Sequence, residues 1–190
     1  MKYVVDERKQ YMIKEKYSIS ECLWTDIIKA LNNEYDNSQN ILLRNNTPKE
    51  LVKLGVKDLK MMTSVGHLKQ NILTIEEAEK KKLSTNNKHW HGLGINTYVN
   101  AIKSIDKPVR IYQWLPNNEN KYNKDNYVIL TNIIDNNNLK VIIPIEINKE
   151  GNYNNEIWDI NRISTVYGKK DVYKYFERKV IDKKMIQLYR

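Results

Sequence analysis

Three successive segments decide the fold: Tyr127-Val-Ile-Leu-Thr-Asn-Ile-Ile134, Asp135-Asn-Asn-Asn138 and Leu139-Lys-Val-Ile-Ile-Pro-Ile-Glu-Ile147. The outer two are apolar and rich in β-branched residues, and the middle one contains the residue types that tolerate the positive φ of a tight turn. Together they predict a β-hairpin. Pro144 has no N–H to give a ladder, so it predicts an edge position or a bulge in the second strand. Upstream, Val109-Arg-Ile-Tyr-Gln-Trp114 alternates as a strand does, and Pro116 with the Asn-rich stretch after it ends the run. Downstream, residues 159–166 read as a further strand and residues 171–180 as a helix with Val172, Tyr173, Phe176 and Val180 inward. Residues 185–189 read as a closing strand.

Ahead of Asp106-Lys107-Pro108 the period lengthens. Leu23, Trp24, Ile27, Ile28, Leu31 and Tyr35 recur at spacings of three and four, with Ser20 as a candidate cap. Thr47-Pro48 opens a short helix through Leu51, Val52 and Leu54 that Gly55 stops. Residues 74–83 carry acids first and lysines last, as the helix dipole favours, and Ile95, Val99, Ile102 and Ile105 mark one face of another helix. The expectation is an α+β fold in which N-terminal helices pack on a small antiparallel sheet of about four strands. Residues 1–45 are expected to be a helical extension and residues 46–190 the main domain.

The composition narrows the function. With 190 residues, 32 Lys plus Arg, 23 Asp plus Glu and a net charge of +9, the chain suits one basic domain that attracts polyanions. No apolar run is long enough to span a membrane, and Met1-Lys-Tyr-Val-Val-Asp6 lacks a signal-peptide core, so a cytoplasmic protein without membrane partners is expected. The single Cys22 excludes an internal disulfide framework and a Cys-rich zinc site. Phosphate-loop, dinucleotide-binding, HExxH and GxSxG motifs are absent, so no cofactor or metal is expected.

His67, His89 and His91 are the whole imidazole supply. His89 and His91, at i and i+2, would share a face in a strand, where two imidazoles could share a metal. His91 is the stronger candidate for acid–base work because Lys88-His-Trp-His-Gly-Leu-Gly94 is a polar, glycine-flanked turn ahead of a helix. An imidazole near neutrality can take the proton of an RNA 2′-hydroxyl or protonate the leaving 5′-oxygen. The second cluster is Arg162-Ile-Ser-Thr-Val-Tyr-Gly-Lys169, which as a strand sets Thr165 and Tyr167 on one face beside Lys169, a hydroxyl pair suited to phosphate. Arg110 can offer a bidentate grip on phosphate, and Trp90, Tyr98, Tyr112 and Trp114 offer rings for unpaired bases.

The order of these pieces resembles the phage-associated barnase–EndoU–colicin–RelE-like nuclease domains, including those at the C-termini of phage MuF-type and large polyvalent proteins. The resemblance runs over about residues 45–190 and is carried by short motifs: Asn46-Thr47-Pro48, Leu54-Gly55-Val56, Met62-Thr63, His67-Leu68, His91-Gly92-Leu93, Pro108-Val109, Ile163 to Lys169 and Leu188-Tyr189. It implies helices followed by a four-stranded antiparallel sheet, and a metal-independent endoribonuclease acting as a toxin or phage effector. By resemblance His91 is the family's histidine, Thr165 its small hydroxyl residue, and Tyr167 and Lys169 fall in place. Gln113-Trp114 stands where relatives often have Ser.

The expected activity is cleavage of tRNA or another structured RNA in the cytoplasm of a bacterial host or target cell. His91, Tyr167, Thr165 and Arg110 are the expected catalytic residues, and Lys169, Ser164, His67 and Gln113 the expected substrate contacts. An acidic immunity protein is the expected partner of such a toxin. A basic binding module without turnover and an ADP-ribosyl transferase are the alternatives, although no Arg…Ser-Thr-Ser…Glu-x-Glu series is present.

Overall fold

The computed structural model describes residues 19–86, 89–116 and 126–189. In chain order these form α1 (Leu23–Leu31), β1 (Asn40–Arg44), α2 (Lys49–Lys53), β2 (Lys60–Ser64), α3 (Val65–Ile72), α4 (Ile75–Lys80) and α5 (Gly94–Ser104). Then follow β3 (Arg110–Trp114), β4 (Asn126–Ile134), β5 (Lys140–Tyr153), β6 (Glu156–Arg162), β7 (Tyr167–Lys169), α6 (Val172–Ile181) and β8 (Met185–Tyr189). The Asn-rich stretch after Pro116, Lys88 and the first residues of the chain lie outside the described residues.

The class is α+β, but the small four-stranded antiparallel sheet is overturned. One eight-stranded sheet runs in the order β1-β2-β6-β5-β4-β3-β8, with β7 also paired to β5. It is mixed, because β2 and β6 are parallel while the other pairs are antiparallel. The helices are not gathered at the N-terminus either, since α6 follows seven strands. Two strands hid in the half that read as helical. β1 and β2 are five residues each, and both bury Leu42 or Met62 on one face and Ile41, Leu43 or Met61 on the other, so they show no alternation. The expected boundary at residue 45 falls directly after β1, an edge strand of this sheet.

The hairpin is present as β4 and β5, with Asn138 at φ +61° in the turn and the Asp135 carboxylate accepting the Asn137 and Leu139 N–H groups. β5 runs past Ile147 to a second hairpin, where Asn154 and Asn155 both hold positive φ between Tyr153 and Glu156.

Helices cover both faces. Apolar residues of α1, α3 and α5 meet Ile111, Ile129, Ile143 and Ile145 in the larger core. On the other face Phe176 of α6 stacks on Tyr112, ring centroids 3.9 Å apart, beside Val128, Leu130 and Ile142. Only Val172 and Phe176 of α6 are buried; Tyr173 and Val180, expected inward, are 41% and 38% exposed, because a short helix on a flat sheet presents one narrow stripe. Two expected caps have other work. The Thr47 hydroxyl bonds to Lys57, Leu59 and Asn161 instead of capping α2, and Ser20 lies two residues ahead of Cys22, which holds the N-cap position of α1 without a side-chain cap bond. Buried Arg44 fastens β1 to the end of α5 through Asp106, 2.6 Å away, and the Ile102 carbonyl. Among the described residues no helix is long and apolar enough to cross a membrane.

Candidate active site

The site begins with an interruption in the sheet. Along one edge of β5, β7 pairs with Lys140–Ile142 and β6 pairs from Glu146 onward, so residues 143–145 face neither strand there. Pro144 sits at that interruption, where a missing N–H costs no ladder bond on the open side. The expected strand over residues 159–166 therefore holds only as far as Arg162; residues 163–166 make a detour, and β7 begins after it at Tyr167. β6 ends at Arg162, and Ile163 and Val166 turn into the larger core. Asn71 of α3, 1% exposed, holds the detour: its Oδ1 accepts the Val166 N–H at 3.1 Å and its Nδ2 donates to the Ser164 carbonyl at 3.4 Å. Ser164 and Thr165 are left facing a cleft of about 690 Å³ that opens over the gap.

His91 reaches this cleft because its own segment closes the end of α3. The His91, Gly92 and Leu93 N–H groups donate to the carbonyls of Gln70, Leu73 and Asn71, which a helix end otherwise leaves unpaired. Gly92 is required there, since its φ is +62° and a Cβ would lie 2.9 Å from Thr74 Cγ2. The His91 ring stacks on Tyr167, centroids 5.2 Å apart and planes 22° from parallel. Burial holds its pKa below the usual imidazole value, and neighbouring His89 adds to the effect. Gly168 lets β7 close against the β4–β5 turn, because a Cβ at that position would overlap the Asp135 carboxylate.

His67 lines the same cleft from the first turn of α3. Ser64 caps the helix, accepting the His67 N–H at 3.2 Å, and the same hydroxyl lies 3.0 Å from His67 Nδ1. Burial lowers the His67 pKa; Glu146 opposes the shift and Arg162 adds to it. Glu146 accepts a hydrogen bond from the Ser164 hydroxyl at 2.7 Å.

Of the residues singled out from sequence, His91, Tyr167, Thr165, Ser164, His67, His89 and Trp114 converge on the cleft. Arg110, Gln113 and Lys169 are not among its lining residues. Arg110 is turned to the α6 face, its guanidinium 3.4 Å from the Tyr112 hydroxyl and 5.1 Å over the Tyr173 ring. Strand alternation sets Gln113 on the face opposite Tyr112 and Trp114. Lys169 stands beside the cleft with Nζ 4.2 Å over Tyr175, a lining residue.

Glu146, Lys149, Asn71 and Tyr175 also line the cleft and were missed. Glu146 had a signal, a lone carboxylate inside an apolar strand run. Asn71 had none, because only the packed fold shows that its amide serves a segment more than 90 residues away. His89 is exposed, and among the described residues no group of three or more His, Cys, Asp and Glu side chains is placed to hold a metal ion.

The chain is thus a helix-flanked mixed sheet broken at one strand edge, where a cleft gathers two half-buried imidazoles, a carboxylate and several hydroxyls. Residues 82–189 match the phage MuF C-terminal domain family, and the chain belongs to that family. The match contains β3 to β8, α6 and His91, while His67 and Asn71 precede it. No curated protein and no solved structure matches the chain.

Proposed function

We propose that this phage-associated domain is an endoribonuclease that uses the RNA's own 2′-hydroxyl as nucleophile, serving as a toxin or phage effector. One observation carries the proposal: His67 of α3 and His91 of the segment that closes that helix line one cleft with Thr165, Tyr167 and Glu146, which come from the far half of the chain. Internal attack needs one group to accept the 2′-hydroxyl proton and another to protonate the 5′-oxygen as the P–O5′ bond breaks. His91, neutral near pH 7 because burial disfavours its charge, accepts the first proton. Tyr167 holds that ring in place by stacking. His67 gives the second proton from its charged form, which burial disfavours and Glu146 restores in part, so the reaction runs best on the acid side of neutrality.

Thr165 offers its hydroxyl to the phosphate, Ser164 can do so only by releasing its bond to Glu146, and Lys149 offers a cation as charge builds on the phosphorane-like transition state. Arg110 has no part at the reacting atoms. The products are a 2′,3′-cyclic phosphate and a 5′-hydroxyl, with atoms and charge balanced and no cofactor in the sequence of steps. An acidic immunity protein that covers the cleft suits a toxin of this net charge.

Incubation of tRNA and total RNA with the protein in EDTA tests the proposal. Expected is cleavage leaving 2′,3′-cyclic phosphate ends, slowed about 10²–10⁴-fold by His91→Ala. The rate should follow a bell-shaped pH profile centred below 6.5, because both imidazoles titrate below their ordinary value. RNA left intact at high protein, or cut equally by His91→Ala, refutes it. Salt-sensitive binding without turnover would instead identify a binding module.

A further inference from the structure

Beside the cleft, cations and aromatic rings are interleaved. Tyr175 and Trp114 line the cleft, and Lys179 Nζ lies 5.6 Å from the first ring and 5.7 Å from the second. Lys169 Nζ lies over Tyr175 as well, at 4.2 Å. Neither lysine forms an ion pair with a carboxylate among the described residues. Two like charges drawn to one ring repel each other, and a polyanion laid across them relieves that repulsion. Long lysine side chains also lose rotamer freedom on binding, and resting on rings incurs much of that loss before the ligand arrives.

We infer that Lys169 and Lys179, carried on Tyr175 and Trp114, form a phosphate-binding rim for the single-stranded segment of RNA leaving the cleft. The inference rests on the ribonuclease proposal, and it adds the strandedness of the substrate and the route of the chain. A single strand is inferred because the cleft, about 690 Å³, has the size of a small-molecule pocket, which an unpaired nucleotide can enter and a base-paired one cannot without leaving its partner. An acidic protein would satisfy the lysines but has no use for a nucleotide-sized cleft beside them.

The test uses a short 2′-O-methyl RNA, which lacks the nucleophile, as a single strand and as a duplex. Affinity is measured by fluorescence anisotropy over a range of salt concentrations for the wild type, the Lys169→Gln/Lys179→Gln double variant and Lys60→Gln. Lys60 lies 4.9 Å over Trp158 elsewhere on the protein, so it controls for loss of charge and of a cation–π contact. The inference expects the wild type to prefer the single strand. The double variant should bind about tenfold more weakly with a salt slope lower by about 1.4, roughly 0.7 for each lost phosphate contact, while Lys60→Gln matches the wild type.

An unchanged slope in a double variant whose circular dichroism and melting match the wild type overturns the rim. So does equal affinity for the duplex, or displacement by polyglutamate in preference to RNA. Cleavage of natural RNA by the wild type is read in parallel. If the wild type cuts while the double variant binds as tightly as it does, the rim alone fails; if the wild type neither binds nor cuts, the ribonuclease proposal fails with it.

Discussion

Replacing Asn71 with Ala tests whether a single buried amide builds the site. The substitution removes the acceptor of the Val166 N–H, a 3.1 Å bond in a residue with no solvent exposure, and the weaker 3.4 Å contact to the Ser164 carbonyl. A buried N–H left unpaired costs about 1–3 kcal/mol, and the better helix propensity of Ala inside α3 returns up to about 0.7 kcal/mol. The net loss expected is about 1–2 kcal/mol. With a urea slope of about 1–3 kcal/mol per molar, the unfolding midpoint should move down by roughly 1 M. The loop bearing Ser164 and Thr165 would relax as well, and a displacement of about 1 Å at reacting groups costs about 10²-fold in rate. Urea unfolding followed by circular dichroism, paired with an RNA cleavage assay, reads both effects. A midpoint and a cleavage rate that both match the wild type would refute the assignment of Asn71 as the residue that holds the detour.

Gly168→Ala should destabilise by about 1–3 kcal/mol in urea unfolding, since its Cβ meets an Asp135 carboxylate already committed to the Asn137 and Leu139 N–H groups. Asp106→Ala should cost more stability than Arg44→Met. The first leaves the fully buried guanidinium of Arg44 without its counter-charge, with only carbonyl partners, for up to about 3–5 kcal/mol, whereas the second leaves a carboxylate that is 28% exposed and able to take up water. Equal losses in thermal melts would contradict that asymmetry. Stability should also fall with pH in a defined window. His67 and His91 have folded pKa values depressed below 6.5, so their contribution is full above 6.5 and is lost as pH falls from there through the folded values. His67→Gln should flatten that part of the pH–stability curve, and an unchanged curve would count against burial of its ring.

Much of the secondary structure was legible because its causes are local. The Asp135 to Asn138 turn between two β-branched runs, the acids of Glu76 and Glu77 beside the Thr74 cap, and the closing strand at Met185–Tyr189 act within a few residues, and each forms where the pattern puts it. β1 and β2 were not legible, since burial on both faces removes the alternation that marks a strand. The size and mixed character of the sheet depended on them. Part of the site could be read as well. His91, Thr165 and Tyr167 stand out by residue type, and all three reach the cleft. Arg110 stands out equally and does not, because it lies at the start of β3, two pleats from the lining residue Trp114, where its guanidinium is occupied by Tyr112 and Tyr173.

By itself, then, the sequence settled the net charge of +9, the α+β class and the residue types open to acid–base chemistry, all properties of composition or short-range pattern. Tertiary structure alone decided that β6 and β7 part beside Pro144, that Asn71 pins the chain between them, and that His67 and His91 line one cleft there. The physical reason is separation along the chain. The hydrogen bond from Val166 to Asn71 joins residues 95 apart, and no local preference encodes such a bond before the core brings its two ends together.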